Sequence, residues 1–109
     1  MSITNAITEL NDQFRRGDTP FLECLLTPGV CALPSSKRTE LIELVQTFDQ
    51  FTLDKDPEGK HDFGEVTLNG EDYFFKIECY DPTMSRHSDD PASPNATRRV
   101  LILMRADEF

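Results

Sequence analysis

The sequence predicts an α+β domain, an antiparallel sheet of about four strands with two helices packed on one face, in the order α-β-α-β-β-β. Three observations carry this. Ile3, Ile7, Leu10 and Phe14 recur at helical spacing. Asn69-Gly70 sits between two alternating apolar–polar runs, the strongest short-range hairpin signal. Val100 to Met104 is an uninterrupted apolar run with β-branched residues, the pattern of a strand covered on both faces. At 109 residues the chain fits a single domain, 1–109.

The first helix is placed at residues 3–16. Ser2 or Thr4 serves as its cap, Arg15 and Arg16 suit the negative end of its dipole, and Gly17 stops it. Phe21 to Leu26 is short, apolar and bounded by prolines, hence a strand. Pro28-Gly29 reads as a type II turn, with glycine at positive φ. Pro34-Ser35-Ser36 opens a second helix with a serine cap and an apolar stripe of Leu41, Leu44, Val45 and Phe48. Lys37 and Arg38 fall in its first turn, where the dipole disfavours cations. Thr52 to Gly64 is a loop.

The hairpin spans Glu65 to Tyr80. A two-residue type I′ turn at Asn69-Gly70 pairs Leu68 with Glu71, Val66 with Tyr73 and Gly64 with Phe75. One face then carries Val66, Leu68, Tyr73, Phe75, Ile77 and Cys79 and meets the helices. The other carries Glu65, Thr67, Asp72, Phe74, Lys76, Glu78 and Tyr80. Residues 81–96 form a polar loop longer than most connections. The last strand is expected beside Tyr73–Tyr80, with a short buried helix after Asn95 as the alternative reading of residues 98–105.

Charge separates the halves of the chain. Between Asp54 and Asp90 stand eleven acids and four bases, which hold seven of the nine net negative charges. Such a field repels nucleic acid and membrane headgroups and attracts basic surfaces. No apolar run approaches the ~20 residues of a membrane span. The first residues show no basic n-region and no apolar h-region, and three cysteines without C-x-x-C spacing fit a reduced compartment. The expectation is a cytoplasmic protein.

The densest constellation is Asp54, Asp56, Glu58, His61 and Asp62, oxygen ligands and one imidazole within nine positions. Gly59 and Glu65 fall at the sixth and twelfth places of a calcium loop counted from Asp54, but Pro57 and the lack of flanking helices oppose that reading. Cys24, Cys31, His61 and Cys79 match no zinc spacing. No G-x-S-x-G elbow is present, and His61-Asp62, as chain neighbours, would point apart in a strand. Arg98, Arg99 and Arg105 are too few to bind DNA against the acidic excess. These readings favour a non-enzyme without cofactor.

The segments LNDQFR, LTPGV, DPEGKHDFG, FFKIECYD and ATRRVLILM together resemble the bacterial family known as domain of unknown function 3768. The resemblance runs over nearly the whole chain and implies a small protein encoded on plasmids and other mobile elements. It implies no catalytic residues. Cys79 stands where the family pattern suggests a polar or aromatic residue.

Charge and resemblance together lead to an expected small acidic interaction protein that docks on a basic protein and binds neither nucleic acid nor membrane. An inhibitor of a nucleic-acid-handling host system, of antirestriction or anti-CRISPR type, fits both. The expected contact residues are Asp54, Asp56, Glu58, Asp62, Glu65, Asp72, Phe74, Glu78, Tyr80 and Asp81. Two alternatives stand beside this one, a metal- or ligand-binding domain using the Asp54–Asp62 loop and a homodimer paired through an edge strand near Phe21–Leu26.

Overall fold

A computed structural model describes residues 3–17 and 23–109. Three helices lie against one four-stranded sheet: α1 (Ile3–Arg16), β1 (Cys24–Leu26), α2 (Pro28–Cys31), α3 (Ser35–Gln46), β2 (Phe63–Leu68), β3 (Glu71–Tyr80) and β4 (Arg98–Arg105). Short 3₁₀ turns at Pro94–Ala96 and Ala106–Glu108 flank β4. The fold is α+β as the sequence predicts, with one correction. The strand order is β1-β4-β3-β2, and β1 runs parallel to β4, so the sheet is mixed rather than wholly antiparallel.

Chain economy explains the sheet's middle. β4, the most apolar segment, takes a central position beside β3. The hairpin forms in the predicted register, Leu68 opposite Glu71 and Gly64 opposite Phe75. Asn69 and Gly70 both have positive φ (53° and 82°), as a type I′ turn requires. Phe14, Val30, Leu41, Val45, Val66, Tyr73, Phe75, Ile77, Leu101 and Leu103 make one core. Every sheet residue in it belongs to the face predicted to meet the helices or to the matching positions of β4.

Local differences have local causes. The predicted strand at 21–26 is observed for Cys24–Leu26; Phe21 and Leu22 lie outside the described residues, as does the cap position Ser2. Thr4 is already inside α1. Pro28-Gly29 opens α2 instead of making a type II turn. Proline suits the first helical turn, and the Gly29 amide donates to Glu108 Oε2 at 2.9 Å. A Cβ at Gly29 would collide with the Arg105 and Glu108 side chains, so glycine serves close approach here, not positive φ. Pro34, not a serine, is the N-cap of α3. The Arg38 guanidinium, unfavourably placed for the dipole, donates to the carbonyls of Cys31 and Leu33 that end α2. Leu41 and Val45 of the α3 stripe are buried, but Leu44 is exposed.

Candidate functional site

The acidic loop predicted to carry function is folded against α1. Thr8, Asn11, Asp12 and Arg15 recur at i, i+3, i+4 and i+7, a polar stripe beside the apolar one. Each grips the segment 48–61. The Thr8 hydroxyl donates to the Gly59 carbonyl (2.6 Å) and Asn11 Nδ2 to the Lys60 carbonyl (3.0 Å). Asp12 meets His61 Nδ1 at 2.9 Å. Arg15, wholly buried, donates to Asp12 (2.9 Å) and to the Phe48 carbonyl (3.2 Å). Its guanidinium lies 5.0 Å from the Phe51 ring centre, and the same ring stacks on His61 at 3.9 Å.

Asp56 closes this loop from inside. It is 6% exposed and accepts the Lys60 and His61 amides, each at 3.0 Å. It is therefore no surface contact residue, a correction to the expected set. Its lone pairs are spent on loop amides that would otherwise be unpaired. With Nδ1 of His61 on Asp12 and Nε2 4.0 Å from Asp56, the imidazole sits between two carboxylates and holds the loop.

Of the other expected contact residues, Glu65, Asp72, Phe74, Glu78 and Tyr80 share the outer face of the sheet, whereas Asp54, Glu58, Asp62 and Asp81 lie outside the strands, and the acids as a whole do not form one patch. Glu71 and Asp72 stand at the hairpin end of β3, while Asp81, Asp89 and Asp90 follow its other end. A ten-residue strand separates the groups by about 30 Å. Bases neutralise much of the charge locally: Glu58 with Lys60 (3.0 Å), Glu65 with Lys55 (3.4 Å), Glu78 with Lys76 (2.9 Å) and Asp81 with Arg86 (3.8 Å). Asp54 is exposed, and Asp72 accepts the Thr67 hydroxyl at 2.8 Å. Asp81 also accepts the Ser85 amide (2.9 Å), which holds its carboxyl below the usual range and orders the start of the 81–96 loop.

Phe74 and Tyr80 lie on the sheet face away from the helices. Phe74 packs between Phe63 (5.2 Å) and Phe109 (5.1 Å). Tyr80 stacks on His87 at 5.1 Å and donates to Glu78. Register adds β1 and β4 residues to this outer face: Leu25 faces Ile102, Ile102 faces Lys76, Lys76 faces Phe63, and Met104 faces Phe74. Among the described residues, Leu25 (59% exposed), Phe109 (73%) and Met84 lie on or at the rim of this face, three of the five exposed large apolar side chains. No signal in the alternation pattern of the hairpin alone could reveal it, because Leu25 and Phe109 come from remote segments.

The inner face holds a cleft of about 250 Å³ at the end of the sheet under α1. Ile7, Asn11, Lys60, Asp62, Cys79 and His87 are among its walls. Burial and the neighbouring Asp56 push the Asp62 carboxyl above its ordinary range. Burial also pushes the thiol of Cys79 up, and that of Cys24 up to about 11, so neither is a ready thiolate. Among the described residues no three His, Cys, Asp or Glu side chains gather as a metal-holding set. No described helix is long and apolar enough to cross a membrane.

A family model described as "protein of unknown function (DUF3768)" matches residues 26–108. No curated protein and no solved structure matches the chain.

Proposed function

This chain belongs to the DUF3768 family of proteins of unknown function, and we propose that it is a non-catalytic binding protein that docks on a basic protein through the outer face of its sheet. The observation that carries this reading is the apolar stripe Leu25–Ile102–Met104–Phe74–Phe109, exposed at Leu25 and Phe109, half-covered at Ile102 and Phe74 and buried at Met104, set among Glu65, Asp72, Glu78 and Tyr80. An apolar centre inside a charged rim is the anatomy of a protein interface. The rim ion pairs give register, while the net charge of −9 acts at long range and steers cationic partners in. This reading shifts the contact from carboxylates alone to an aromatic and aliphatic anchor. Glu65, Asp72, Phe74, Glu78 and Tyr80 stay in it; Asp56 leaves it. A host protein with a Lys/Arg-lined nucleic-acid groove is the partner class that this chemistry and the mobile-element context favour.

Photo-crosslinking residues placed at Leu25 and Phe109, with exposed Leu53 as the control site, test the reading in the bacterial host. The expected product is one basic protein joined through positions 25 and 109 but not 53. Its capture should fall steeply as salt rises from 50 to 300 mM, as the screening length shortens to about 6 Å. Equal capture from all three sites, or an acidic partner, would remove the proposal. A crosslink to a second copy of the chain would assign the face to a homodimer instead.

A further inference from the structure

We propose that the inner cleft binds a small molecule through a primary carboxamide. The carboxamide oxygen accepts the Cys79 amide, and its NH2 donates to the Ile77 carbonyl and to Asp62. This site lies at the edge of β3, is separate from the outer face and does not rest on it.

The observation is a gap in the hydrogen-bond ladder. In an antiparallel strand the N–H and C=O of one residue point to the same side. Leu101 spends its N–H on the Glu23 carbonyl (2.8 Å), on the β1 side, so Ile77 opposite it is turned away from β4. Ile77 and Cys79 therefore face the edge of β3 that β2 leaves beyond Phe63. Two loop segments cover that edge in part. The Ile77 N–H donates to the Asp62 carbonyl (2.8 Å), and the Cys79 C=O accepts the Ser88 N–H (2.9 Å). Between these two bonds lie the Ile77 C=O and the Cys79 N–H. Continuing the β2 register would bring the Asp62 N–H to the first and the Lys60 C=O to the second. Neither bond forms, because His61 has positive φ (57°) and takes the chain out of extended conformation. The Lys60 carbonyl is turned to Asn11 Nδ2 (3.0 Å), and the Asp62 amide to its own carboxylate. Among the described residues nothing bonds the Ile77 carbonyl or the Cys79 amide.

The four residues around the gap, Asp62, Ile77, Cys79 and Ser88, all line the cleft of about 250 Å³. Nearly every backbone N–H held away from bulk solvent finds a partner. An open donor beside an open acceptor in a cleft wall therefore selects what completes it. The complement is an acceptor beside a donor. A carboxylate would set its lone pairs against the Ile77 carbonyl and Asp62. An ammonium or amidinium has no acceptor for the Cys79 N–H. A primary carboxamide answers both groups and has a second N–H for Asp62, half-buried in the same wall. Ile7 and Pro91 offer apolar surface to the rest of the molecule. The cleft is smaller than the usual site for a drug-sized ligand, so it suits a small one.

Amide-resolved NMR of the full chain tests the gap and the ligand in turn. In the free protein the Cys79 amide should exchange with solvent at least ~10-fold faster than those of Phe75 and Ile77 on the same strand. The chain is then titrated with acetamide, isobutyramide and benzamide, each beside the carboxylate and the amidine of the same skeleton. Concentrations run to about 50 mM, because so few atoms bind weakly. At least one amide should shift the Cys79 and Ser88 signals and slow exchange at Cys79. Its carboxylate and its amidine should bind at least ~10-fold more weakly (about 1.4 kcal/mol). Asp62→Leu, with the spectrum of a folded domain, should weaken the amide by about the same factor. A Cys79 amide as slow to exchange as Ile77 would overturn the proposal, as would no shift with any of the three amides. A carboxylate or amidine that binds as well as its amide would also overturn it, as would unchanged affinity in Asp62→Leu.

Discussion

The two faces of this sheet are made from the same strands and meet opposite fates. On the inner face, Phe75, Leu101 and Leu103 are essentially without solvent contact under α1, α2 and α3. On the outer face Val100 and Met104 are buried, but Ile102, Phe74 and Tyr80 are only half-covered, and Leu25 and Phe109 are exposed. The difference teaches where stability and recognition are held apart. Inner residues can change only at the expense of folding. Outer residues sit where a partner can replace water.

The largest effect that tests this contrast is Phe75→Ala. Phe75 is fully buried and packs edge-to-face on Phe48 (5.2 Å) and Phe51 (6.3 Å). Its truncation removes contacts from α3's end and from the 48–61 loop at once. A loss of about 3–5 kcal/mol is expected. Its chain neighbour Phe74, on the outer face, should lose less than half of that on the same change. Urea unfolding of the two variants measures both. Equal losses would mean the outer face is as closely packed as the inner one.

Next comes the loop that the inner side holds. Asp56→Ala leaves the Lys60 and His61 amides without their carboxylate. A loss of about 1–3 kcal/mol is expected. Hydrogen exchange should quicken first at Lys60 and His61 and leave β3 and β4 protected. Uniform exchange across the sheet would show that the loop and the core open together.

Much of this architecture could be read in the chain. The spacing of Ile7 and Phe14, the Asn69-Gly70 turn and the run Val100–Met104 each specify their element locally, because helix, hairpin and buried strand have their own periods. The parallel pairing of β1 with β4 could not be read, since three residues carry no orientation signal and the order depends on Thr27, Gly29 and Arg105 closing around Glu108. The acidic loop misled for a physical reason. Clustered Asp and Glu suggest an exposed field, but Asp56 turns inward to amides, and α1 supplies Asn11 and Asp12 from 49 residues away and Arg15 from 33. The polar spacing 8, 11, 12, 15 was the available clue that one flank of α1 faces protein rather than water. The burial of Arg99, which donates its Nε to Asn11, gave no clue at all, because a basic residue at a strand's start is usually solvated.

The smallest effect bears on the place where inner packing gives way to the cleft. Asp62 is a carboxylate whose folded-state pKa is raised, chiefly by burial and then by Asp56. At pH well below its ordinary value of 3.8 it is protonated in both folded and unfolded chains and contributes nothing to pH dependence. Between 3.8 and the raised folded value, the unfolded chain releases the proton first, so stability falls as pH rises through that window. Above the window the ionised folded state carries the full cost. Asp62→Asn should therefore raise the midpoint of thermal unfolding at pH 7 by about 2–4 °C, and the gain should vanish near pH 3. A gain that persists unchanged at pH 3 would trace to packing of the amide rather than to the charge. A loss at pH 7 would mean that Asp62 is already paired within the fold. A gain confined to neutral pH would mark Asp62 as a charge that the fold carries at a cost, set by its burial and by the neighbouring Asp56.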